Sequence, residues 1–252
     1  MANSDAAALA AVKARTWFYQ FELPDGTLTR TDIPAHVIPI HGSRREKLRR
    51  IIKDKVPGAA NLTALDFASH EGYYAAELSK HFKSVRGLEL RPESLAASQL
   101  MMRALGVSNV EFKRADLQTM TGREDPGADF VLVYGLLYHL EDPIHTIRLA
   151  SKLARKHILI ETQVFPYDVS GKIEDGNFHN QRDVQGVFSL SVDYAANREG
   201  GSTDLALVPS LNALMFLLRT FGFAQVMVVP PDPGDYEQFS RGARVIVYGA
   251  KP

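Results

Sequence analysis

From residue 61 onward, short apolar runs alternate with amphipathic ones, and each pair reads as a strand followed by a helix. The run ALDF ends in a tight turn, SHEG, after which Tyr73 and Tyr74 open a helical pattern. VRGLEL is a second strand, followed by RPESLAASQLMMRALG, where Leu95, Leu100, Met101 and Leu105 recur at helical spacing and Gly106 stops the helix. NVEFKRAD is a third, shorter strand. ADFVLVYGLLYHL is nearly continuous in apolar residues, as expected of a strand buried on both faces. A helix over Pro143 to Leu153 precedes a fifth strand, HILIET. Strands alternating with helices of this length predict an α/β fold built on a doubly wound, mostly parallel sheet. Near the end, PSLNALMFLLRTFGF reads as a helix stopping at Gly222, and AQVMVV and ARVIVYGA as an antiparallel strand pair at one sheet edge.

Two regions interrupt this alternation. Residues 1–60 form an N-terminal appendage ahead of the first sheet strand. It holds a short amphipathic or frayed helix (ANSDAAALAAVKAR) and WFYQFELPDGTLT, whose PDG reads as a turn between two strand-like runs. It ends in a charged helix, SRREKLRRIIKDKV, with Ser43 as N-cap and Glu46 completing a capping box. The remainder, 61–252, is one domain carrying an insertion at about 163–208 rich in Gly, Asn, Asp and aromatic residues, with no clear periodicity. Phe165, Tyr167, Phe178, Phe188, Tyr194, Leu211 and Phe216 could roof a pocket or pack beneath such a lid.

Composition narrows the function classes. The formal charge is zero and the pI about 7.1, so nothing attracts the whole chain to nucleic acid or to an anionic membrane. No apolar stretch reaches the length of a membrane span, and no basic segment followed by an apolar run opens the chain. Cysteine is absent, which excludes disulfides, thiolate metal sites and cysteine nucleophiles, and no His, Asp and Glu spacing suggests a metal site. These features describe a cytoplasmic enzyme.

The chemistry sits at the carboxyl ends of the predicted strands, where open α/β sheets bind ligands. Asp66 ends the first strand, and Gly72 lets backbone approach a ligand at the turn. Glu89 ends the second strand, where a carboxylate can accept from both hydroxyls of a ribose. Asp116 ends the third, placed to accept from an adenine amine. Four motifs in this order, Asp66 to Gly72, Glu89, Asp116 and GLLYHL, resemble the class I S-adenosylmethionine (SAM) methyltransferase family. The resemblance implies a Rossmann-like seven-stranded sheet and SAM as cofactor. It implies cofactor contacts from Asp66, Ala68, Ser69, Gly72, Glu89, Leu90, Asp116, Leu117 and Tyr134. Ala68 stands where the family usually has glycine, and Ser69 and His70 fall at the methionine end.

GLLYHLEDP, ILIET, VPSLNALMFLLRTFGF and the W…LPDG…T stretch are similar to the transferases that make 5-carboxymethoxyuridine at the tRNA wobble position. That likeness would imply carboxy-SAM and an arginine for its carboxylate; Arg241 and Arg244 lie nearby. Catalytic candidates are His139, Tyr138 and Glu161. An imidazole titrates near neutrality and suits a general base, though a Tyr-His pair can equally pack a strand end. Glu161 could bind substrate, take a proton or hold a loop amide. His179, Asn180, Arg182 and Tyr194 are candidate substrate contacts within the insertion. The expected activity is methyl transfer to a small-molecule acceptor, at oxygen by preference. The alternatives are tRNA modification, which the cations Arg44 to Lys55 could serve by tracking phosphates, and cofactor binding without transfer. The N-terminal helix and the insertion are candidate contacts of a homodimer.

Overall fold

Pairing of the predicted strands gives a computed structural model that describes residues 5–174, 181–193 and 204–252. The chain divides into two compact units, residues 1–132 with 153–155 and residues 133–152 with 156–252.

In the first unit, helix α1 (Ala6–Ala14) is capped by the Asp5 carboxylate, which accepts from the Ala7 and Ala8 amides, and it buries Ala8 and Val12. The strand-like runs expected next shrink to β1 (Thr16–Trp17) and β2 (Arg30–Thr31), which pair in parallel, plus a single bridge between Glu22 and Leu28. The PDG turn forms, with the Gly26 amide donating to Leu23 O. Helix α2 (Pro39–Lys55) starts earlier than the Ser43 signal suggested and has no side-chain cap. Pro39 at its first turn fixes a helical φ, so the helix runs on through Gly42 and Ser43 becomes an interior, buried residue. The predicted capping box is therefore absent. Arg44 and Lys47 of this helix are buried, and Arg49 clamps Glu77 through Nε (2.6 Å) and an Nη (2.9 Å).

Strand β3 (Thr63–Phe67) leads through the turn into α3 (Tyr73–Leu78), then β4 (Ser84–Glu89), α4 (Pro92–Leu105) and β5 (Val110–Arg114). β3 pairs with β4 and β4 with β5, both in parallel. Helix α4 ends at Gly106 as expected, at φ 67°. Of the four residues named for its apolar spacing, Met101 is buried with Ser94, Ala97, Ser98, Met102 and Ala104, while Leu95, Leu100 and Leu105 are half-buried at the flank. Strand β6 (Ala128–Tyr134) is shorter than the apolar run; Gly135, at φ 67°, ends it, and Leu137–His139 form a single 3-10 turn.

The second unit holds α5 (Pro143–Leu153) and most of β7 (Ala154–Gln163). The insertion, read as aperiodic, is strand-rich: β8 (Ser170–Glu174) pairs with β9 (Gln181–Gln185), and β10 (Phe188–Val192) with β11 (Leu205–Pro209), both antiparallel. Of the proposed roof, Tyr167 and Phe216 face solvent, Phe165, Phe188 and Leu211 are half-buried, and Phe178 and Tyr194 lie outside the described residues. Helix α6 (Leu211–Thr220) is capped by Ser210. β12 (Gln225–Val229), the one-turn helix α7 (Glu237–Ser240) and β13 (Arg244–Ala250) complete the chain, and β13 is antiparallel to both β12 and β7.

The seven sheet strands run in the order β12-β13-β7-β6-β3-β4-β5, the mostly parallel Rossmann-like arrangement of class I methyltransferases. Strand order departs from β3 and β6 in opposite directions, which makes the carboxyl end of β3 a topological switch point. No helix among the described residues is long and apolar enough to cross a membrane.

Candidate functional site

The turn after β3 is dense in unusual backbone and buried polar atoms. Ala68 (φ 52°) and His70 (φ 50°) are the non-glycine residues in the left-handed region among those described, and Gly72 (φ 81°) is the N-cap of α3. A side chain with a Cβ costs roughly 1–2 kcal/mol there, so the turn is held by its surroundings. The Ser69 amide donates to Leu88 O (2.9 Å), and the His70 amide donates to Glu89 Oε2 (2.8 Å). Close packing requires glycine at two places: a Cβ on Gly72 would come within 2.9 Å of Phe112 and 3.1 Å of Ser98 Cβ. One on Gly87 would meet Phe112 at 2.5 Å and Ser69 Oγ at 2.7 Å.

Asp66 is 2% exposed. Burial, and next the negative charge of Glu89, push its carboxyl up to about 8, against a hydrogen bond from the Ala75 amide that lowers it. Asp66 Oδ2 and Ser69 Oγ are buried with no hydrogen-bond partner among the described residues. Buried polar atoms without partners are costly, and a ligand with donors and acceptors would satisfy both. Glu89 is also buried; its Oε1 accepts from the Arg91 amide (2.9 Å) and Nε (3.2 Å), so the carboxylate holds the turn and Arg91 as well as any ribose. Asp116 acts at least in part as a turn residue, its Oδ1 accepting from the Gln118 amide (2.9 Å). Leu117 is buried beside it, while Leu90 is exposed. Carboxylates ending β3 and β4, a glycine-bearing turn and unsatisfied buried oxygens fit a nucleoside cofactor with an amino-acid tail.

In the second unit the strand ends gather a second polar group. Tyr134, the last residue of β6, is buried. His139 is 8% exposed, and its Nδ1 lies 2.9 Å from Asp193 Oδ2. The Tyr138 ring packs on the imidazole at 4.2 Å. Glu161 is fully buried, and its Oε1 accepts from Arg244 (3.0 Å). Arg244 also donates to Gln238 Oε1 (2.6 Å) and Tyr138 Oη (3.2 Å), and its guanidinium stacks 4.7 Å from the Tyr138 ring centre. Arg244, offered above as a carboxylate clamp, is thus engaged by Glu161, while Arg241 pairs with Glu237. Glu161 and Tyr138 are joined through Arg244, and His139 has the Asp193 carboxylate beside it. Asp193 and Gln238 are not singled out by the sequence. Asp193 lies far from His139 along the chain, and no local pattern marks the tie. Arg244 carries a usable signal, a lone cation opening a wholly buried strand. Of the insertion candidates, Arg182 is exposed on β9, and His179, Asn180 and Tyr194 lie outside the described residues.

Comparison with known proteins agrees with the fold. The chain is similar to the N-terminal domain of EvdMO1 crystallised in the presence of SAH and D-fucose, at 20% identity and a TM-score of 0.70, over 98% of this chain and 95% of that one. Against the structure of EvdMO1 that extends beyond this domain, the chain covers 47% of the partner, about half its length. It is also similar to magnesium protoporphyrin IX methyltransferase from Synechocystis PCC 6803 with bound SAH, at 13% identity and a TM-score of 0.57, over 88% and 89% of the two chains. No curated protein sequence matches the chain. The family model described as "Methyltransferase domain" matches residues 64–157, which span β3 to β7 and include Asp66, Glu89, Asp116 and His139. The chain thus has the fold of the class I SAM-dependent methyltransferases, and its residues 64–157 match the methyltransferase-domain model.

Proposed function

We propose that the protein transfers the sulfonium methyl of SAM to a hydroxyl of a small-molecule acceptor, with His139 receiving the hydroxyl proton. The observation that carries this reading is the buried His139–Asp193 pair. Asp193 accepts from Nδ1–H, which fixes the tautomer and leaves Nε2 as the atom that takes a proton. Bound SAM supplies an already activated methyl group, so the protein's task is positioning and proton removal. Transfer forms a C–O bond to the acceptor, breaks the C–S bond and leaves SAH, while the acceptor proton passes to the imidazole. A neutral hydroxyl is the nucleophile that most needs such a base, and a buried acid–base pair suits it better than a phenolate or carboxylate acceptor. Asp66, Ser69 and Glu89 hold the cofactor, and Arg244 with Glu161 fixes Tyr138 against the imidazole.

The EvdMO1 domain was crystallised in the presence of D-fucose, which makes deoxyhexose hydroxyls the first acceptors to try. The cations of α2 do not favour tRNA: Arg44 and Lys47 are buried and Arg49 is paired to Glu77, which leaves a smaller solvated face to track phosphates. Incubation with methyl-labelled SAM and a panel of sugars, phenols, amines and tRNA, read by mass spectrometry, tests the proposal. A labelled O-methyl ether from a small molecule, reduced strongly in His139→Ala, is the expected result. Label in tRNA, or SAM binding with no product across the panel, would overturn it.

A further inference from the structure

The methyltransferase core does not account for Glu71. It sits in the turn between His70 and Gly72, its side chain is nearly fully buried, and its partners lie in the N-terminal appendage. Its Oε2 accepts from the backbone amides of Phe18 (2.9 Å) and Tyr19 (3.2 Å), and its Oε1 lies 3.7 Å from the Arg15 guanidinium. Three ring contacts also join the same segment to the turn and the start of α3. The Phe18 and Tyr19 rings approach the His70 ring at 5.1 and 5.6 Å, and Tyr19 stacks on Tyr73, the first residue of α3, at 4.8 Å and 8°. His41 of α2 closes the group, 4.6 Å from Tyr19.

His70 is the residue that needs this support. It holds a left-handed backbone without being glycine, and its amide is the donor that engages Glu89. Strained residues persist only where the surroundings over-determine them. Here the carboxylate of Glu89 fixes one side of His70, and Phe18 and Tyr19, seated on Glu71, fix the other.

We propose that Glu71 is a positioning residue of the cofactor turn, and that through it residues 15–19 of the appendage form a working part of the cofactor site. The proposal rests on the reading of this turn as the SAM site. Ligand affinity then depends on the appendage being seated. It also explains why the carboxylate stands inside the turn: a charged acceptor can bind two adjacent amides at once, and hydrogen bonds to charge are the stronger kind.

The test compares Glu71→Ala, Glu71→Gln and a control, Asp129→Ala. The control breaks the charged contacts of Asp129 with Thr63 and Arg155 at the opposite end of β3, and so loosens the same unit away from the turn. Two quantities are read in the full chain: amide hydrogen exchange of residues 68–73 without cofactor, and SAM affinity by calorimetry. Glu71→Ala should speed exchange at these amides and weaken SAM at least about tenfold, as expected for losing hydrogen bonds to a charge. Glu71→Gln should fall between Glu71→Ala and wild type in both, because the glutamine carbonyl can accept from both amides but lacks the charge. Asp129→Ala should leave both near wild type whatever its loss in stability. SAM affinity in Glu71→Ala within about threefold of wild type, or an equal loss in the control, would overturn the proposal. If the wild type did not bind SAM, the cofactor reading of the turn would fall, and the exchange comparison alone would decide whether Glu71 holds the turn.

Discussion

Replacing Asp66 by Asn should change how stability depends on pH. The wild-type carboxyl is buried at the end of β3 beside Glu89 and titrates at about 8, against 3.8 for an unperturbed aspartate. The folded pKa is raised, so between these values the native state binds a proton that the unfolded chain has released. Stability from this group is therefore fully present below about pH 4 and falls as pH rises to about 8. Each pH unit between the two values corresponds to about 1.4 kcal/mol, so the full window is worth on the order of 5 kcal/mol, most of it already lost at pH 7. Asn keeps the acceptor for the Ala75 amide and cannot ionise. The assay is urea unfolding without cofactor at intervals from pH 5 to 8.5, taken as the difference between variant and wild type so that other groups cancel. The difference should move in favour of Asn by several kcal/mol across that range, with a slope approaching about 1.4 kcal/mol per pH unit. Parallel pH profiles would refute the reasoning, since they would mean the carboxylate is ionised and satisfied in the folded chain.

Other consequences follow from the same geometry. Ala68→Gly removes a Cβ at φ 52° and should change stability by no more than a gain of about 1 kcal/mol after the entropy cost of glycine, whereas Ala68→Val should cost about 2 kcal/mol or more, both read by urea unfolding. Gly87→Ala places a methyl 2.5 Å from Phe112 and 2.7 Å from Ser69 Oγ, which should cost about 1–3 kcal/mol and weaken SAM in the same titration. His139→Ala should lower kcat by about 10²–10⁴ with SAM affinity unchanged, and Asp193→Asn should lower it less, as steady-state rates would show. Arg244→Met strands a fully buried Glu161 and should cost about 3–5 kcal/mol, with part restored by adding Glu161→Gln.

The parts of the fold that sequence revealed are those set by local period and punctuation. The α5 boundaries came from Pro143 and the helical spacing behind it, and the end of α4 from Gly106, which takes the left-handed cap. The inward face of α4 is built from small residues with Met101 and Met102, so the leucine spacing marks only part of it. Ser98 and Met102 lie against the turn, where a Cβ on Gly72 would come within 3.1 Å of Ser98 Cβ and 3.3 Å of Met102 Cε. Ser43 gave a false helix start since proline at a first turn overrides a capping hydroxyl downstream. In the insertion, the hairpins depend on pairing between Phe188 and Pro209 or Ser170 and Gln185, and each strand is too short to show its own alternation. The site divides in the same way. Asp66 and Glu89 stand at strand ends and His139 in the turn after β6, so each has a local sequence signal. Asp193 behind His139 and the Phe18 and Tyr19 amides on Glu71 are tertiary ties between distant segments.

The central claim is that the turn from Asp66 to Gly72, with Glu89, binds SAM. Calorimetric titration of the wild type and Glu89→Ala with SAM tests it most directly. The account predicts saturable one-to-one binding by the wild type and a loss of about 1–3 kcal/mol in the variant, from hydrogen bonds to charge removed at the end of β4. No binding by the wild type, or the same affinity in both, would contradict it.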